Sequence, residues 1–148
     1  MQKLMLTLLL PITAWAGQTS CQVQQVMAAD TLLCQPPGQP SSLVQLYAVK
    51  ALNPATPAGQ LGKTYLEKRV LGKTVVLRWP GNDSLPNTRV TVMLDGQELN
   101  QELLGKGMAR VHPDTSAADY YTQQSHAISA GLGLWDQRYD VETGELAK

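Results

Sequence analysis

Alternating polar and apolar positions over residues 21–27 (CQVQQVM) predict a first β-strand with one buried face. Four later segments, short and rich in Leu, Val and Met, predict four further strands. They cover residues 31–35 (TLLCQ), 43–49 (LVQLYAV), 74–79 (TVVLRW) and 88–94 (TRVTVML). The Pro/Gly/Ser-rich residues 36–42 and the run 80–86 predict loops, and Asp95-Gly96 predicts a tight turn after the fifth strand.

Helical spacing of apolar residues predicts a first helix between the third and fourth strands. It runs from about Thr56 to Leu71, with Pro57 in its first turn, and Gly72 ends it. We expect its buried stripe to consist of Leu61, Tyr65, Leu66 and Val70.

Two more helices are predicted after the fifth strand. Asn100 is expected to cap a short helix that ends at Gly105 or Gly107. Ser116 is expected to cap a last helix that runs to Gly131. The residues of this helix expected to face inward are Tyr120, Tyr121 and Ile128.

The N-terminus has the three parts of a cleavable signal peptide, predicted over residues 1–16. Lys3 precedes the apolar run 4–12 (LMLTLLLPI), and Ala14-Trp15-Ala16 supplies the small residues of a cleavage site before Gly17. The apolar run is roughly half of the ~20 residues that a membrane span requires, although a retained anchor is the alternative. The sequence therefore predicts a periplasmic or secreted protein with no membrane segment after cleavage.

The remaining chain has a length that suits one modest core and shows no internal repeat. We expect one domain over residues 17–135 and a loose polar tail over residues 136–148. Since the chain has 12 Lys+Arg and 12 Asp+Glu, removal of Lys3 leaves a formal charge of −1. Proteins that neutralise many phosphates usually carry a basic excess, so a nucleic acid is not favoured as a partner.

Cys21 and Cys34 both lie in the predicted mature part of the chain. In an oxidising compartment such a pair usually forms a disulfide, and a hairpin turning at residues 28–30 would place the two directly opposite each other. Closing this loop contributes ~3 kcal/mol in the chain-entropy model. Two free thiols or a metal pair are the alternatives, although a metal site would need more Cys or His nearby.

Five strands, one helix between the third and fourth and two after the fifth, are the element order of a mainly β, partly open OB-type barrel with three helices. Several stretches within that order are specific. They are residues 59–77 (GQLGKTYLEKRVLGKTVVL), Asp95-Gly96, Asn100, Leu103-Leu104, residues 107–111 (GMARV) and residues 132–135 (LGLW). This ordered set resembles the staphylococcal (thermonuclease-like) nuclease family over roughly residues 21–135. Helix ends at Gly107 and Gly133 would then need the left-handed conformation.

The resemblance implies a calcium-dependent phosphodiesterase site, in which carboxylates hold the ion and two Arg side chains stabilise the transition state. Asp30 and Thr31 match the second half of the family's Asp-Gly-Asp-Thr turn. The third strand departs from the family at three positions. Gln45 stands in place of an Arg, Lys50 in place of a calcium-binding Asp, and Asn53 in place of a Glu that positions water. Arg89 lies about two residues from the position of the second Arg.

The most consequential of these differences is Lys50. Its ammonium would repel a calcium ion by at least ~1 kcal/mol, and a ligand is lost at the same position. We therefore expect no cofactor and no metal site, with Asp30 as the one remaining candidate ligand. The catalytic centre would be reduced to the vestigial residues Asp30 and Arg89.

These differences favour an exported pseudoenzyme that acts as a binding module for an unidentified protein or oligomeric ligand. OB barrels offer a concave face to such ligands. The predicted groove residues are Thr31, Gln45, Tyr47, Lys50, Arg78 or Arg89, Tyr120 and Tyr121. The alternative is a secreted DNA or RNA endonuclease of the same family with weak or altered activity, and calcium would be a cofactor only in that case.

Two groups of charged or titratable residues have no assigned chemistry. His112 and His126 are the only histidines, and nothing in the sequence places them together, so we expect surface or cap roles. Lys63, Lys68 and Arg69 form a positive face on the first helix, which we expect to be solvated.

Overall fold

The structure is a computed structural model that describes residues 17–79 and 89–148. The predicted signal peptide, the predicted loop 80–86 and Thr88, the first residue of the predicted fifth strand, lie outside the described residues. Within the two described ranges, no helix is long and apolar enough to cross a membrane.

The alternation at the start of the chain forms β1 (Gln18–Ala28), which buries Cys21, Val23 and Val26 and exposes most of the residues between them. The other elements follow in chain order. They are β2 (Thr31–Gln35), β3 (Ser42–Leu46), β4 (Val49–Lys50), α1 (Pro57–Val70), β5 (Thr74–Arg78), β6 (Arg89–Leu94), β7 (Gln97–Glu98), α2 (Leu99–Gly105), β8 (Arg110–Val111), α3 (Ala118–Ala130) and the 3-10 helix Gly133–Trp135.

Five of the strands close into a barrel. Neighbouring strands in the order β3-β2-β1-β5-β6 pair antiparallel, and β3 and β6 then pair in parallel. The parallel pairing sets Gln45 opposite Arg89 and Leu46 opposite Val90, so the barrel is closed rather than partly open. The predicted OB-type architecture of five barrel strands and three helices is confirmed.

The predicted third strand, residues 43–49, divides into β3 and β4. Ala48 has a φ of 66°, which an extended strand cannot contain, and the chain turns there. The carbonyl of Ala48 accepts a hydrogen bond from the His112 N–H at 2.8 Å, which continues the short β4–β8 ladder. This corner places Lys50 beside β8 instead of in the barrel wall.

The disulfide joins Cys21 and Cys34, whose Cα atoms are 5.7 Å apart, so the predicted pairing is confirmed. The predicted register is wrong, because Val23 and not Cys21 lies opposite Cys34. The turn occupies only two residues, 29–30, and the register shifts twice between Val23 and Ala28. These irregularities make the disulfide a diagonal link between β1 and β2.

α1 begins as predicted, since the Thr56 hydroxyl accepts a hydrogen bond from the Gly59 N–H at 3.2 Å. Its buried residues differ from the predicted stripe. They are Ala58, Gly59, Gly62, Leu66 and Val70. A Cβ atom on Gly59 would collide with the Asn53 carbonyl, and one on Gly62 with the Met108 carbonyl. Close backbone approach at the two glycines therefore replaces burial of Leu61 and Tyr65, which are only half-buried.

Arg69 was expected on a solvated face of α1, but its side chain instead contacts α2. Arg69 Nε lies 2.8 Å from Glu102 Oε2 on α2, and its NH2 group lies 3.0 Å from Glu102 Oε1. The Tyr65 hydroxyl donates to the same carboxylate at 3.0 Å. Burial and this carboxylate raise the pKa of Tyr65. The cluster fixes α1 against α2.

Asn100 does not cap α2, because the helix begins at Leu99 and its N-cap is Glu98. The Asn100 side chain is fully buried and bonds to backbone instead. Its Oδ1 accepts from the Val92 N–H at 2.9 Å, and its Nδ2 donates to the carbonyls of Tyr47 at 2.8 Å and Val90 at 3.0 Å. A buried amide thus ties α2, β6 and the β3–β4 corner together.

α3 begins at Ala118, two residues after Ser116, and its N-cap makes no side-chain bond, so the predicted Ser116 cap is wrong. Tyr120 is buried as predicted, together with Ala127. Tyr121 and Ile128 are 41% and 47% exposed, so their predicted inward orientation is wrong. Each follows a buried residue and is therefore rotated by about 100° around the helix.

The tail predicted to be loose is a folded C-terminal hairpin, residues 136–148. Tyr139 pairs with Leu146, and Tyr139 packs against the buried cluster of Leu52, Ala58 and Leu134. The carbonyl of Gly144 accepts a hydrogen bond from the Ala58 N–H of α1 at 2.9 Å. The hairpin is thus part of the same domain.

Candidate functional site

Side chains from the β1–β2 turn, β3, β4, the start of β6 and the residue after β8 line a pocket of 240 Å³. The barrel closure and the β3–β4 corner bring these segments together. The pocket residues are Asp30, Gln45, Leu46, Val49, Lys50, Ala51, Arg89 and His112. Four of the predicted site residues, Asp30, Gln45, Lys50 and Arg89, therefore meet in one place.

Among the described residues that line the pocket, Asp30 is the one carboxylate, and protein donors already contact both of its oxygens. Oδ2 accepts a hydrogen bond from the Ala51 N–H at 3.0 Å, and Oδ1 accepts one from the Thr31 hydroxyl at 3.0 Å. The Asp30 carbonyl also accepts from the Leu46 N–H at 2.8 Å. Asp30 thus connects the β1–β2 turn to β3 and to the segment after β4.

Two cationic side chains line the same pocket as this carboxylate. Lys50 is exposed and ends β4, and Arg89 is half-buried at the start of β6, opposite Gln45 in the parallel ladder. Arg89 NH1 lies 4.0 Å from Asp114 Oδ2, an exposed ion pair of small energetic value. Of the described residues that line the pocket, two therefore carry a positive charge and one a negative charge.

His112, predicted to have a surface or cap role, lies in the pocket beside Arg89. Its Nδ1 is 3.2 Å from the Asp114 N–H, and its Nε2 is 3.4 Å from Arg89 NH2. A neutral imidazole has a single acceptor nitrogen, so only one of these contacts is a hydrogen bond. A carboxylate also lies beside both groups, since Asp114 Oδ2 is 3.7 Å from His112 Nδ1 and 4.0 Å from Arg89 NH1.

The pocket residues do not fit the calcium ion that the resemblance implies. Calcium takes six to eight oxygen ligands, commonly from several carboxylates, whereas the described pocket residues offer one carboxylate whose two oxygens are already hydrogen-bonded. The resemblance places Lys50 where a second ligand is expected. Nowhere in residues 17–79 and 89–148 do three His, Cys, Asp or Glu side chains converge on a common point.

The remaining predicted groove residues do not line this pocket. Tyr120 is buried, packs edge-on against Tyr47 with ring centroids 5.9 Å apart, and donates to Glu98 Oε1 at 3.0 Å. Burial, together with the Glu98 carboxylate, raises the pKa of Tyr120. The Tyr121 hydroxyl donates to the Thr115 carbonyl.

Arg78 lines a different depression, which it shares with Trp79 and Glu98, and it donates to the Gln18 side chain at 3.2 Å. Of the eight predicted groove residues, Gln45, Lys50 and Arg89 line the pocket directly, and Thr31 supports it through Asp30. The predicted continuous groove is thus divided.

His112 is the pocket residue that the sequence did not indicate. It follows the segment 108–111, and only the pairing of that segment with β4 brings the imidazole beside Arg89. A two-residue ladder has no sequence signature of its own. The family resemblance includes residues 107–111, and extending it by one residue beyond Val111 could have indicated His112.

Comparisons with known proteins give a family and a relative. A family model described as staphylococcal nuclease homologue matches residues 42–137. The chain is also 31% identical over 129 residues to a Haemophilus influenzae protein described as an uncharacterized endonuclease. That similarity covers 86% of this chain and 72% of the relative. The family match includes the pocket residues Gln45, Lys50, Arg89 and His112, whereas Asp30 precedes it.

Proposed function

The chain belongs to the staphylococcal nuclease family, and from this premise we propose that it binds nucleic acid through phosphate groups without the calcium-dependent hydrolysis of that family. One observation carries the proposal. Among the described residues, Lys50 and Arg89 line one pocket with a single carboxylate, Asp30, which is already engaged by protein donors. Such a pocket favours an anion and disfavours a divalent cation.

The two cations and His112 supply hydrogen-bond donors, and a phosphate diester supplies two unesterified oxygens to accept them. The Asp30 carboxylate would repel the same phosphate, but its charge is partly satisfied by the Ala51 N–H and the Thr31 hydroxyl. This ligand differs from the expectation from composition, which did not favour nucleic acid, because near-zero net charge does not preclude a local cationic site.

The expected binding is modest and salt-dependent. If Lys50 and Arg89 each neutralise one phosphate of a single strand, the logarithm of the association constant should fall with the logarithm of salt concentration with a slope of about −1.4. A basic nucleic-acid-binding protein with many phosphate contacts has a much steeper slope. The slope therefore reports how many cations take part.

The test is fluorescence anisotropy with a labelled oligothymidylate of about 12 nucleotides at low salt, in chelator and in millimolar calcium. The purified protein, with the Cys21–Cys34 disulfide intact, is expected to bind equally in both and to leave the strand uncut. Lys50→Gln and Arg89→Gln should each weaken binding several-fold. Lys73→Gln is a matched control, because Lys73 is an exposed lysine on the turn before β5. Absence of binding, or cleavage that requires calcium, would overturn the proposal.

A second candidate function is endonuclease activity by an altered route. The relative in Haemophilus influenzae is described as an endonuclease, and Arg89 and His112 lie together at the pocket. Cleavage of the same oligonucleotide in chelator, abolished by His112→Gln, would favour this candidate over binding alone. Unchanged cleavage in His112→Gln would exclude His112 from the chemistry.

We also propose that the protein is exported with removal of residues 1–16. The support is the composition of that segment and the Cys21–Cys34 disulfide, which persists in oxidising compartments. Intact mass measurement of the protein from the periplasmic fraction of a Gram-negative host should give an N-terminus at Gly17. Recovery of the uncleaved chain in the cytoplasm would contradict export.

A further inference from the structure

Lys50 and Arg110 lie directly opposite each other in the antiparallel β4–β8 ladder. Residues in this relation point to the same face, about 4.5–5.5 Å apart at Cβ. The other pair of the ladder, Val49 and Val111, is buried, so the two cations share the outer face. Like charges in this arrangement are destabilising unless an anion lies between or beside them.

The guanidinium of Arg110 is incompletely paired in the described part of the chain. Its NH1 group lies 3.3 Å from Glu142 Oε1, and the Glu142 side chain is 76% exposed. Its Nε atom is buried and has no hydrogen-bond partner among the described residues. One exposed carboxylate is therefore the counter-ion of a site that adjoins a second cation, Lys50.

Glu142 is held in place by the C-terminal hairpin rather than by Arg110 alone. Asp140 Oδ1 accepts from the Glu142 N–H at 2.8 Å and from the Thr143 N–H at 3.2 Å, which fixes the turn. The Gly144 carbonyl bonds to the N-terminus of α1 through Ala58. A carboxylate built into the fold thus lies where an external anion would bind.

We infer that Lys50 and Arg110 form a second phosphate subsite next to the pocket, and that Glu142 of the C-terminal hairpin competes with the nucleic-acid strand for it. The inference rests on the proposed function. A strand with one phosphate in the pocket would place a neighbouring phosphate on Arg110 and displace the Glu142 carboxylate. Lys50 lies between the two positions and serves both.

The test compares two ligands on one set of variants. Anisotropy measures the affinity for the oligothymidylate of about 12 nucleotides, and chemical-shift titration measures the affinity for thymidine 5′-monophosphate, which carries a single phosphate. Arg110→Gln should weaken oligonucleotide binding several-fold and make the salt slope shallower by about 0.7, and it should leave mononucleotide binding unchanged. Arg110→Lys should restore part of the loss, because it keeps the charge.

Removal of the competing carboxylate should have the opposite effect. Glu142→Gln should tighten oligonucleotide binding about two- to five-fold, the range expected for loss of one exposed ion pair. Glu145→Gln is the matched control, since Glu145 lies on the same hairpin and its carboxylate makes no ion pair within the described residues. It should change the affinity much less than Glu142→Gln does.

The outcomes separate the inference from the function on which it rests. Failure of the unaltered protein to bind the oligonucleotide at low salt would overturn the proposed function. Normal binding that neither Arg110→Gln nor Glu142→Gln changes would overturn the second subsite alone. Unfolding curves of all variants show whether a loss of affinity comes from a loss of structure.

Discussion

Replacement of Asn100 should destabilise the protein more than any other exchange of a polar side chain in its core. Asn100 is fully buried, and its amide bonds to three backbone groups, on Val92, Tyr47 and Val90. Asn100→Ala removes all three bonds. The Val90 carbonyl keeps the Tyr47 N–H as a donor, but the Val92 N–H and the Tyr47 carbonyl lose their side-chain partner.

The magnitude follows from the two groups left unpaired. A buried donor or acceptor without a partner costs about 1–3 kcal/mol, so Asn100→Ala should lower the free energy of unfolding by about 3 kcal/mol. The effect should reach the pocket, because the Tyr47 carbonyl precedes Ala48 at the corner that positions Lys50. We therefore expect weaker oligonucleotide binding as well as lower stability.

Asn100→Asp keeps the side-chain volume and changes the hydrogen-bonding groups, so it separates the effect of the hydrogen bonds from that of a cavity. Its carboxylate can accept from the Val92 N–H, but an ionised oxygen would face the carbonyls of Tyr47 and Val90. The ionised form is disfavoured, so the pKa of this carboxyl in the folded state should exceed its unfolded value of about 3.9. The variant is then closest in stability to the unaltered protein at or below that pH. The stability difference between the two proteins grows as the pH rises through the folded-state pKa.

Urea unfolding followed by Trp fluorescence, at several pH values and without reductant, measures both effects. The informative quantity is the difference in the free energy of unfolding between each variant and the unaltered protein at the same pH. A cost below about 1 kcal/mol for Asn100→Ala would contradict the three bonds. A cost of Asn100→Asp that does not depend on pH would refute the placement of two carbonyl acceptors against its side chain.

Three further predictions test other parts of the fold, by chemical unfolding for the two glycines and Arg69 and by ultraviolet titration for Tyr120. Gly107→Ala should lower the free energy of unfolding by more than about 3 kcal/mol, because φ is 72° and a Cβ atom would strike a backbone carbonyl. Gly131→Ala should lower it by about 1 kcal/mol, because φ is 63° but the space around a Cβ atom is open. Arg69→Met should lower the free energy of unfolding by about 1–3 kcal/mol, because it leaves the half-buried Glu102 carboxylate without its cation. A loss smaller than that of an exposed ion pair would contradict the role of Arg69 in fixing α1 against α2. Burial and the Glu98 carboxylate raise the pKa of Tyr120. The stabilisation that the neutral phenol provides is therefore fully present below pH ~10 and is lost as the pH rises further. Ultraviolet titration should show a late-ionising phenol that is absent in Tyr120→Phe.

Local patterns predict the elements of this fold well, because each pattern reports burial within a few residues. The alternation in β1, the Thr56 cap and the ends of helices at Gly72 and Gly131 are confirmed. Errors occur where distant backbone decides the local structure. Ala48 turns the chain with a positive φ, a conformation that the sequence usually marks with a glycine. The buried stripe of α1 contains glycines because other segments approach the helix closely.

The candidate site is predictable only as far as the family resemblance carries its residues. Asp30, Lys50 and Arg89 were identified by position along the strands, and closure of the barrel gathers them. His112 and Arg110 reach the same region through a ladder of two residue pairs, which no periodic pattern marks. The C-terminal hairpin was missed although Asp140 and Gly144 are typical turn residues, because its anchor is the start of α1, far away in sequence.

In the proposed function Lys50 both opposes calcium and binds phosphate, and Lys50→Asp tests the two roles together. The exchange should relieve the repulsion by Arg110 and provide it with a partner, raising the free energy of unfolding by a few tenths of a kcal/mol. Oligonucleotide binding should weaken, since one cation is replaced by an anion. Calcium should still leave the thermal midpoint unchanged, because both Asp30 oxygens remain engaged and Asn53 supplies no carboxylate. A midpoint raised by millimolar calcium would show that position 50 alone separates this chain from a calcium-binding relative, and the pocket geometry would then have to rearrange around Asp30.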